Sequence, residues 1–240
     1  MRAMIFAAGL GTRLQPLTDN CPKALVEVAN KPLLQHCIEK LKAVGVREII
    51  VNVHHFAEMV EDFLRANNFF GIRIEISDER ETLLNTGGGL KKAAWFFDDE
   101  QPFILHNVDI FSTIDLHELY QFHLQSNALV TLACNNRTSA RYFLFDNEQR
   151  LCGWENVTTQ ERTIAIESSE ALKRLAFGGI HVIDPKFFKY MPSDERFSIV
   201  NLYLQIAPQA LIKAYTHENL QFLDVGKPQQ LAEAANFLKL

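Results

Sequence analysis

The sequence has few cysteines, no long apolar run and no excess of positive charge. Its four cysteines form neither a C-x-x-C pair nor metal-finger spacing, so we expect reduced thiols in a cytoplasmic protein. No stretch reaches the roughly 18 apolar residues of a membrane span, and the N-terminus lacks the basic segment of an export signal. The net charge of −5 disfavours sequence-independent binding to nucleic acid. We therefore expect neither a membrane nor a nucleic acid as partner.

The chain has the length and hydrophobic content of one α/β domain. With 240 residues, 48% of them hydrophobic, residues 1–240 can bury a single large core. Apolar segments of strand and helix length alternate, which predicts right-handed βαβ units around a mixed, mainly parallel sheet. The apolar periodicity predicts helices over 33–44, 57–66, 90–97, 115–126 and 197–211, strands over 48–53, 72–76, 102–107, 128–134 and 176–182, and hairpins within 135–175.

The first predicted strand, Ala3–Ala8, ends in a turn with two glycines. Gly9 and Gly11 stand one residue apart, so no Cβ blocks an anion that approaches their backbone N–H groups. The next residues, Thr12 and Arg13, add a hydroxyl and a forked guanidinium that suit phosphate oxygens. Lys23 adds an ammonium group ten residues later. Together these groups favour a polyphosphate, with a plain tight turn as the alternative.

Two common phosphate-binding motifs do not account for this turn. The Walker pattern G-x-x-x-x-G-K-[ST] is not met, and the dinucleotide pattern G-x-G-x-x-G would need a glycine where Leu14 stands. A G-x-G on its own is a weak signal. The longer run G-x-G-T-R-L…P-L-T…P-K-A-L is more specific, because several residue types and a long spacing agree together.

This run resembles the signature G-x-G-T/E-R…P-K-P/A-L of the sugar-1-phosphate nucleotidyltransferases. The matching residues are Gly9, Gly11, Thr12, Arg13, Pro22, Lys23 and Leu25. The chain is most similar to short, single-domain members that act on N-acetylmuramate 1-phosphate or a related phosphosugar. The resemblance implies a three-layer αβα, Rossmann-like nucleotide-diphospho-sugar transferase fold, with a nucleotide-binding half at 1–110 and a sugar-phosphate-binding half at 111–240. It also implies nucleotide contacts from Ala8, Gly9, Gly11, Thr12, Arg13 and Lys23, the last two being catalytic.

Two carboxylates follow predicted strands that are far apart in the sequence. Asp109 lies in L-H-N-V-D-I, and Asp224 lies in D-V-G-K-P near the C-terminus. A carboxylate beside a triphosphate suits Mg²⁺, although aspartate also ends strands in ordinary turns. Both segments match motifs of the same family. The resemblance implies that Asp109 and Asp224 are metal ligands for Mg²⁺, that Asp109 is catalytic, and that Asn107 contacts the phosphosugar.

Two glycine-rich segments complete the predicted site. Residues 84–90, L-N-T-G-G-G-L, are predicted to be a strand-to-helix loop, and the resemblance implies nucleobase contacts from Asn85, Thr86 and Gly88. The alternative is a flexible lead-in to a helix. The run F-G-G-I-H-V resembles the family's sugar-facing strand, which implies a sugar contact at Gly179. The E-K-P lysine that holds the sugar phosphate in larger relatives is missing, which leaves as candidates Arg141, Lys173 and Arg174.

These features predict Mg²⁺-dependent transfer of a nucleotidyl group from a nucleoside triphosphate, with UTP favoured, to a sugar 1-phosphate. Both reactants are anions, so fixed cations are expected to lower the barrier and no general base is needed. The two substrates are the expected partners of a monomer or small homo-oligomer. Two alternatives remain: a non-catalytic regulatory subunit that binds nucleotide sugars, and transfer of cytidylate to a phospho-alcohol such as phosphocholine.

Overall fold

The computed structural model describes residues 1–238. Its strands are β1 (Arg2–Phe6), β2 (Glu27–Val28), β3 (Lys31–Pro32), β4 (Glu48–Val53), β5 (Arg73–Asp78), β6 (Phe103–Asn107), β7 (Ile110–Ser112), β8 (Val130–Asn135), β9 (Arg141–Phe145), β10 (Leu151–Asn156), β11 (Glu161–Ile164), β12 (Lys173–Ile183), β13 (Ile212–Tyr215) and β14 (Phe222–Asp224). Its helices are α1 (Leu33–Ala43), α2 (Ala57–Ala66), α3 (Asn85–Lys92), α4 (Leu116–Ser126), α5 (Ile199–Ile206) and α6 (Pro228–Phe237).

The central sheet is mixed and mainly parallel, as the sequence predicts. Its strand order is β13-β8-β12-β6-β1-β4-β5, and every one of these strands except β12 runs in the same direction. The first residues of β12 also pair with β9, from which β10 and β11 continue as antiparallel strands. Because β1, β4 and β6 are parallel neighbours, their carboxyl ends meet at one edge, where ligands bind in such sheets.

Helices cover both faces of this sheet and give the three predicted layers. Alternate residues of β1 point to opposite faces, so Ala3 and Ile5 join one apolar cluster while Met4 joins the other. Helices α1, α2, α4 and α6 pack in the first cluster, and α3 and α5 pack in the second. Each fully buried leucine or isoleucine in these clusters contributes about 1.5–3 kcal/mol to stability. The sheet edge that carries the candidate site therefore rests on a well-packed core.

The predicted loop over residues 84–90 is wrong, because α3 begins at Asn85 and includes the glycines. A side-chain carbon built on Gly88 would lie 1.9 Å from the carbonyl oxygen of Glu195. The same substitution at Gly87 would meet the Phe197 ring at 2.3 Å. These glycines let α3 pack closely against residues 195–198. The predicted helix over 90–97 is accordingly shifted towards the N-terminus and is followed by a short 3-10 turn.

The remaining predicted helices and strands agree with the structure in part. Helices α1, α2 and α4 and strand β4 confirm their predictions to within a residue or so. The helix predicted over 197–211 is shorter, because α5 ends before Pro208 and β13 follows. Strands β7 and β13 were not predicted, and β7 pairs with β14 outside the main sheet. The four cysteines are all unpaired, and no helix of residues 1–238 could span a membrane.

Candidate active site

The two glycines of the first turn have different structural roles. Gly11 adopts φ +68°, and a side chain there would lie 2.9 Å from Thr18 Cγ2 and 3.1 Å from Lys23 Cβ. Thr18 also donates a hydrogen bond of 2.9 Å to the Gly11 carbonyl. By contrast, nothing lies within 4 Å of a side-chain carbon built on Gly9. Gly11 is therefore required by conformation and packing, whereas Gly9 leaves an open approach to the backbone.

This turn forms one wall of a cleft at the carboxyl ends of β1, β4 and β6. The cleft has a volume of about 600 Å³. The site residues predicted from the sequence that line it are Ala8, Gly9, Gly11, Thr12, Arg13, Lys23, Asn85, Thr86, Asn107 and Asp109. Gly88 does not line it, because its α-carbon faces Glu195. The structure thus brings the predicted nucleotide-binding residues together, with Gly88 as an exception.

Lys23 and Asp109 form an ion pair inside this cleft. Lys23 Nζ contacts Asp109 Oδ2, and the lysine is only 8% exposed. Lys23 begins a short 3-10 turn, whereas Asp109 follows β6, so the pair joins two distant segments. Solvent screens such a pair less than it screens a surface pair. The ammonium group is therefore held beside the carboxylate and close to the glycine turn.

Strand pairing brings Asp224, the second predicted carboxylate, close to Asp109. Strands β7 and β14 are antiparallel, with Asp224 opposite Ile110. The Asp224 Oδ1 atom is buried and has no hydrogen-bond partner among the described residues. Burial and the charge of Asp109 raise the pKa of the Asp224 carboxyl, against the opposing effects of Lys23, Arg13 and Arg137. The two carboxylates are thus close enough to repel each other.

The Arg13 guanidinium lies close to the Asp224 carboxylate, on the same side of Gly226. A side-chain carbon built on Gly226 would lie 2.8 Å from Arg13 Nη2 and 2.9 Å from Asp224 Oδ1. The guanidinium of the first loop and the carboxylate of the last strand therefore converge on Gly226, a residue that itself lines the cleft. A substrate in the cleft would meet the cations Arg13 and Lys23 and the Asp109 carboxylate, whereas Asp224 does not itself line the cleft and lies behind Gly226.

The chemistry of Asp109 and Asp224 fits a divalent cation. A buried carboxylate oxygen without a donor is costly, and a cation would satisfy it. Residues 1–238 contain no cluster of three or more His, Cys, Asp or Glu side chains with metal-binding geometry. Two carboxylates without a third protein ligand suit Mg²⁺, which completes its coordination with water and substrate phosphate oxygens.

Two buried polar residues that line the cleft were not predicted from the sequence. Asn52 is 3% exposed and Glu79 is 1% exposed. Asn52 Oδ1 accepts from the Ala7 N–H at 2.7 Å, and Asn52 Nδ2 donates to Glu79 Oε1 at 2.7 Å. Glu79 Oε2 accepts from the Leu84 N–H at 3.0 Å. The network therefore fixes the glycine turn relative to the start of α3. Asn52 could have been found from the sequence, because it is a polar residue inside the otherwise apolar run E-I-I-V-N-V.

Gly179 occupies a bulge next to Asn107. The pairing of β12 with β8 shifts register between Phe177 and His181. Gly179 has φ +74°, and a side chain there would lie 2.9 Å from Asn107 Nδ2 and 2.8 Å from Ile110 Cγ1. The glycine therefore makes room for the Asn107 amide, which lines the cleft. Its own contact with a sugar stays a prediction.

The cations suggested for the sugar phosphate lie outside the cleft. Arg174 pairs with the buried Glu155 carboxylate, and Arg141 is exposed on β9. Lys173 lines a separate cavity beside residues 145–149 and 216–220. None of these three candidate cations therefore lines the cleft that holds the predicted nucleotide-binding residues.

Thr86 lines the cleft, but its hydroxyl already accepts a hydrogen bond of 3.0 Å from the Ile199 N–H.

Comparisons with known proteins show the family to which this chain belongs. The family model described as nucleotidyl transferase matches residues 2–152. N-acetylmuramate alpha-1-phosphate uridylyltransferase of Caulobacter vibrioides is 33% identical over 235 residues, which cover 95% of this chain and 92% of that protein. The chain belongs to the sugar-1-phosphate nucleotidyltransferase family. It is therefore an enzyme of nucleotide-sugar synthesis, and this family generally depends on divalent metal ions.

Other family members differ in the nucleotide that they transfer. D-glycero-alpha-D-manno-heptose 1-phosphate guanylyltransferase of Campylobacter jejuni is 30% identical and covers 95% of this chain and 96% of its own length. HddC from Yersinia pseudotuberculosis, solved with GMP-PN, superposes with a TM-score of 0.77 at 21% identity, and the match covers 99% of each chain. That likeness shows the nucleotide-diphospho-sugar transferase fold.

Proposed function

We propose that this enzyme transfers a uridylyl group from UTP to a sugar 1-phosphate in a Mg²⁺-dependent reaction. The strongest support is the convergence of the glycine turn, Arg13, Lys23 and Asp109 on one cleft, with the Asp224 carboxylate beside the cleft-lining Gly226. These groups come from both ends of the chain, and they match the charges of a triphosphate that reacts with a phosphate monoester. An arrangement of this kind favours catalysis over simple binding of a nucleotide sugar.

The proposed reaction needs positioning and charge neutralisation rather than a protein nucleophile. An oxygen of the sugar phosphate attacks the α-phosphorus, and the bond from that phosphorus to the bridging oxygen breaks. The electron pair leaves with pyrophosphate. Because the attacking oxygen is already anionic, no general base has to remove a proton. Negative charge develops on the leaving group, and the fixed cations of the cleft stabilise it.

Each group of the cleft has a proposed role in this reaction. Backbone amides of the glycine turn and the Thr12 hydroxyl hold the triphosphate, and Arg13 stabilises the departing pyrophosphate. Lys23 orients the α-phosphate. Mg²⁺ held by Asp109 and Asp224 would supply further neutralisation of phosphate charge. Asn107, positioned by its contact with Gly179, accepts the sugar side of the substrate.

N-acetylmuramate 1-phosphate is the proposed acceptor. Uridylyltransferases for this acceptor from two bacteria match 95% and 98% of the chain and more than nine-tenths of their own lengths. This assignment would place the enzyme in synthesis of cell-wall or polysaccharide precursors. The guanylyltransferase of similar coverage makes GTP with a heptose 1-phosphate the second candidate pair. A cytoplasmic location, a monomeric or small oligomeric state, and the functional halves 1–110 and 111–240 remain predictions.

The test is a pyrophosphate-release assay with a panel of substrates. UTP, GTP, CTP, dTTP and ATP are each combined with N-acetylmuramate 1-phosphate, glucose 1-phosphate, mannose 1-phosphate, a heptose 1-phosphate and phosphocholine. We expect the highest kcat/KM with UTP and N-acetylmuramate 1-phosphate in the presence of Mg²⁺. Turnover of only CTP with phosphocholine would support cytidylyl transfer instead. Tight nucleotide-sugar binding without turnover of any pair would support a regulatory subunit.

A further inference from the structure

Ser198 is a polar residue of the cleft wall that the proposed reaction does not yet use. It lines the cleft and directly precedes α5, a position where a serine side chain commonly caps backbone N–H groups of the helix. Here the side chain makes no capping bond, and the Ile199 N–H donates instead to Thr86 Oγ1 at 3.0 Å. Within residues 1–238, no hydrogen bond joins the Ser198 hydroxyl to another residue. Ser198 is only half-buried, so a ligand in the cleft can reach it.

Contacts with α3 hold the segment that carries Ser198. The carbonyl oxygen of the preceding residue, Phe197, accepts a hydrogen bond of 2.9 Å from the Gly87 N–H. Earlier in the segment, the carbonyl oxygen of Ser193 accepts one of 2.9 Å from Lys91 Nζ. The segment between the two serines is therefore attached to α3 at both ends. A side chain that is held in this way loses little conformational entropy when it binds a ligand.

The cleft wall around Ser198 differs in charge from the glycine turn. Thr86 and the Glu79 carboxylate line this wall, and the bond from Ile199 joins Thr86 to the start of α5. The cations that line the cleft, Arg13 and Lys23, belong instead to the short 3-10 turns that follow the glycines. A wall with a carboxylate and no cation disfavours phosphate groups, whereas it can accept an uncharged nucleoside. The nucleoside is therefore expected beside Ser198, and the triphosphate beside the cations.

The depth of Ser198 in the cleft favours the ribose over the base. Asn52 and Glu79 are 3% and 1% exposed, and they already bond to each other, whereas Ser198 is less buried. In a nucleotide the ribose connects the base to the phosphates. Its vicinal hydroxyls can each donate and accept a hydrogen bond, and a serine hydroxyl has the same two capacities. A base in the inner part of the cleft would leave the ribose beside Ser198.

We propose that the Ser198 hydroxyl forms a hydrogen bond with a ribose hydroxyl of the nucleoside triphosphate, and that it thereby selects ribonucleotides over deoxyribonucleotides. This assignment rests on the proposed function, because it concerns the nucleotide substrate of the same cleft. It separates the roles of the polar residues. Arg13 and Lys23 serve the phosphates, Asn107 serves the sugar of the acceptor, and Ser198 serves the ribose.

The experiment removes the hydroxyl with Ser198→Ala and with Ser198→Gly, since glycine is well tolerated before a helix. Ser193→Ala, the same change at an exposed position of the same segment, is the matched control. Thermal unfolding confirms that each variant is folded. Calorimetric titrations with Mg²⁺ measure the affinities for UTP and GTP and for their 2′-deoxy and 3′-deoxy forms.

We expect both Ser198 variants to bind the nucleotide that the wild type prefers about 3- to 10-fold more weakly, the range of one neutral hydrogen bond. Their affinity for at least one of its deoxy forms should equal that of the wild type, because the partner of the serine hydroxyl is then already missing. Ser193→Ala should match the wild type with every nucleotide. The KM for the sugar 1-phosphate should stay unchanged in all variants.

The titrations need no turnover, so they separate this assignment from the proposed function. Ser198 variants that match Ser193→Ala in every titration would overturn the role of Ser198, while pyrophosphate release by the wild type would leave the function intact. An equal loss with the ribose and both deoxy forms, a rise in KM for the sugar 1-phosphate alone, or a wild type that binds no nucleotide or shows no preference for ribose would also overturn it. If the wild type binds nucleotide but releases no pyrophosphate, the function fails and the titrations alone decide the role of Ser198.

Discussion

The backbone N–H of Val225 donates a hydrogen bond of 2.8 Å to the carbonyl oxygen of Asp109. This bond continues the pairing of β14 with β7 and places Asp224 next to Asp109, although 115 residues separate them in the sequence (224 − 109). Nearby, Lys23 contacts Asp109, and Arg13 and Asp224 converge on Gly226. The C-terminal strand therefore completes a site that begins at the first loop of the chain.

Removal of the second carboxylate should abolish most activity without unfolding the protein. Asp224→Asn preserves the shape of the side chain, and the atom Oδ1 has no hydrogen-bond partner to lose. We expect turnover to fall by about 10²-fold or more, the size of effect seen when one charge-stabilising group is removed. Steady-state pyrophosphate release and thermal unfolding check this. The exposed Asp62→Asn variant is the control, and equal activity in both variants would contradict the role of Asp224.

The two glycines of the first turn should respond differently to alanine. Gly11→Ala introduces a Cβ at φ +68° and against Thr18, so we expect the free energy of unfolding to fall by about 1–3 kcal/mol. Gly9→Ala meets no neighbour, so its stability should remain near that of the wild type. Its methyl group would instead obstruct the open approach to the backbone, and triphosphate affinity should fall. Denaturant unfolding measures the first effect and nucleotide titration the second. A destabilised Gly9→Ala with wild-type triphosphate affinity, or a Gly11→Ala as stable as the wild type, would contradict the prediction.

Replacement of the buried Glu79 should lower both the stability of the protein and its affinity for the triphosphate. Both of its oxygens accept hydrogen bonds, from Asn52 Nδ2 and from the Leu84 N–H. Glu79→Gln replaces one acceptor by a donor, so we expect a loss of about 1–3 kcal/mol in unfolding free energy. Triphosphate affinity should fall as well, because Asn52 also holds the Ala7 N–H of the glycine turn. Glu81→Gln, an exposed change nearby, serves as control. Wild-type affinity in Glu79→Gln would exclude this positioning role.

Stability should decrease as the pH falls from about 6.5 towards 4. Burial lowers the pKa of His106 and of His123 to about 4, and burial together with the charge of His106 lowers that of His181 to about 3. An unfolded histidine has a pKa near 6.5, so the unfolded state binds more protons in this window. Each of these buried histidines therefore lowers the free energy of unfolding by up to about 3 kcal/mol at pH 4.

The histidine effect can be isolated with one variant. His123 Nδ1 lies 2.9 Å from Thr131 Oγ1, and His123→Gln keeps a hydrogen-bonding group there but does not titrate. We expect this variant to lose less stability than the wild type between pH 6.5 and 4, measured by denaturant unfolding at each pH. Parallel stability curves for the two proteins would show that His123 contributes nothing to the acid sensitivity.

The sequence predicts the parallel part of the fold well because its strands are buried on both faces. Strands such as β4 appear as continuous apolar runs, and helices such as α1 show the 3.6-residue period of a single buried face. The glycines near Gly88 were misread because glycine serves two purposes. It permits a turn, and it permits close packing of a helix against another backbone. Only the contact with Glu195 distinguishes the two.

The parts of the site that the sequence missed depend on contacts between distant segments. Asn52 pairs with Glu79 only because β4 and β5 are in a register that places Val53 opposite Asp78. The motif residues were recoverable because their spacing is encoded along the chain. Contacts that arise from strand register are not encoded in this way.

The most direct test of the account is the position of a metal ion in a crystal soaked with Mn²⁺ and a non-hydrolysable UTP analogue. Mn²⁺ prefers the same oxygen ligands as Mg²⁺ and can be located by anomalous scattering. We expect one anomalous peak about 2–2.3 Å from oxygens of both Asp109 and Asp224 and of the bound phosphates. The triphosphate should lie along the glycine turn. A peak that contacts neither carboxylate, or a nucleotide bound away from this turn, would contradict the account.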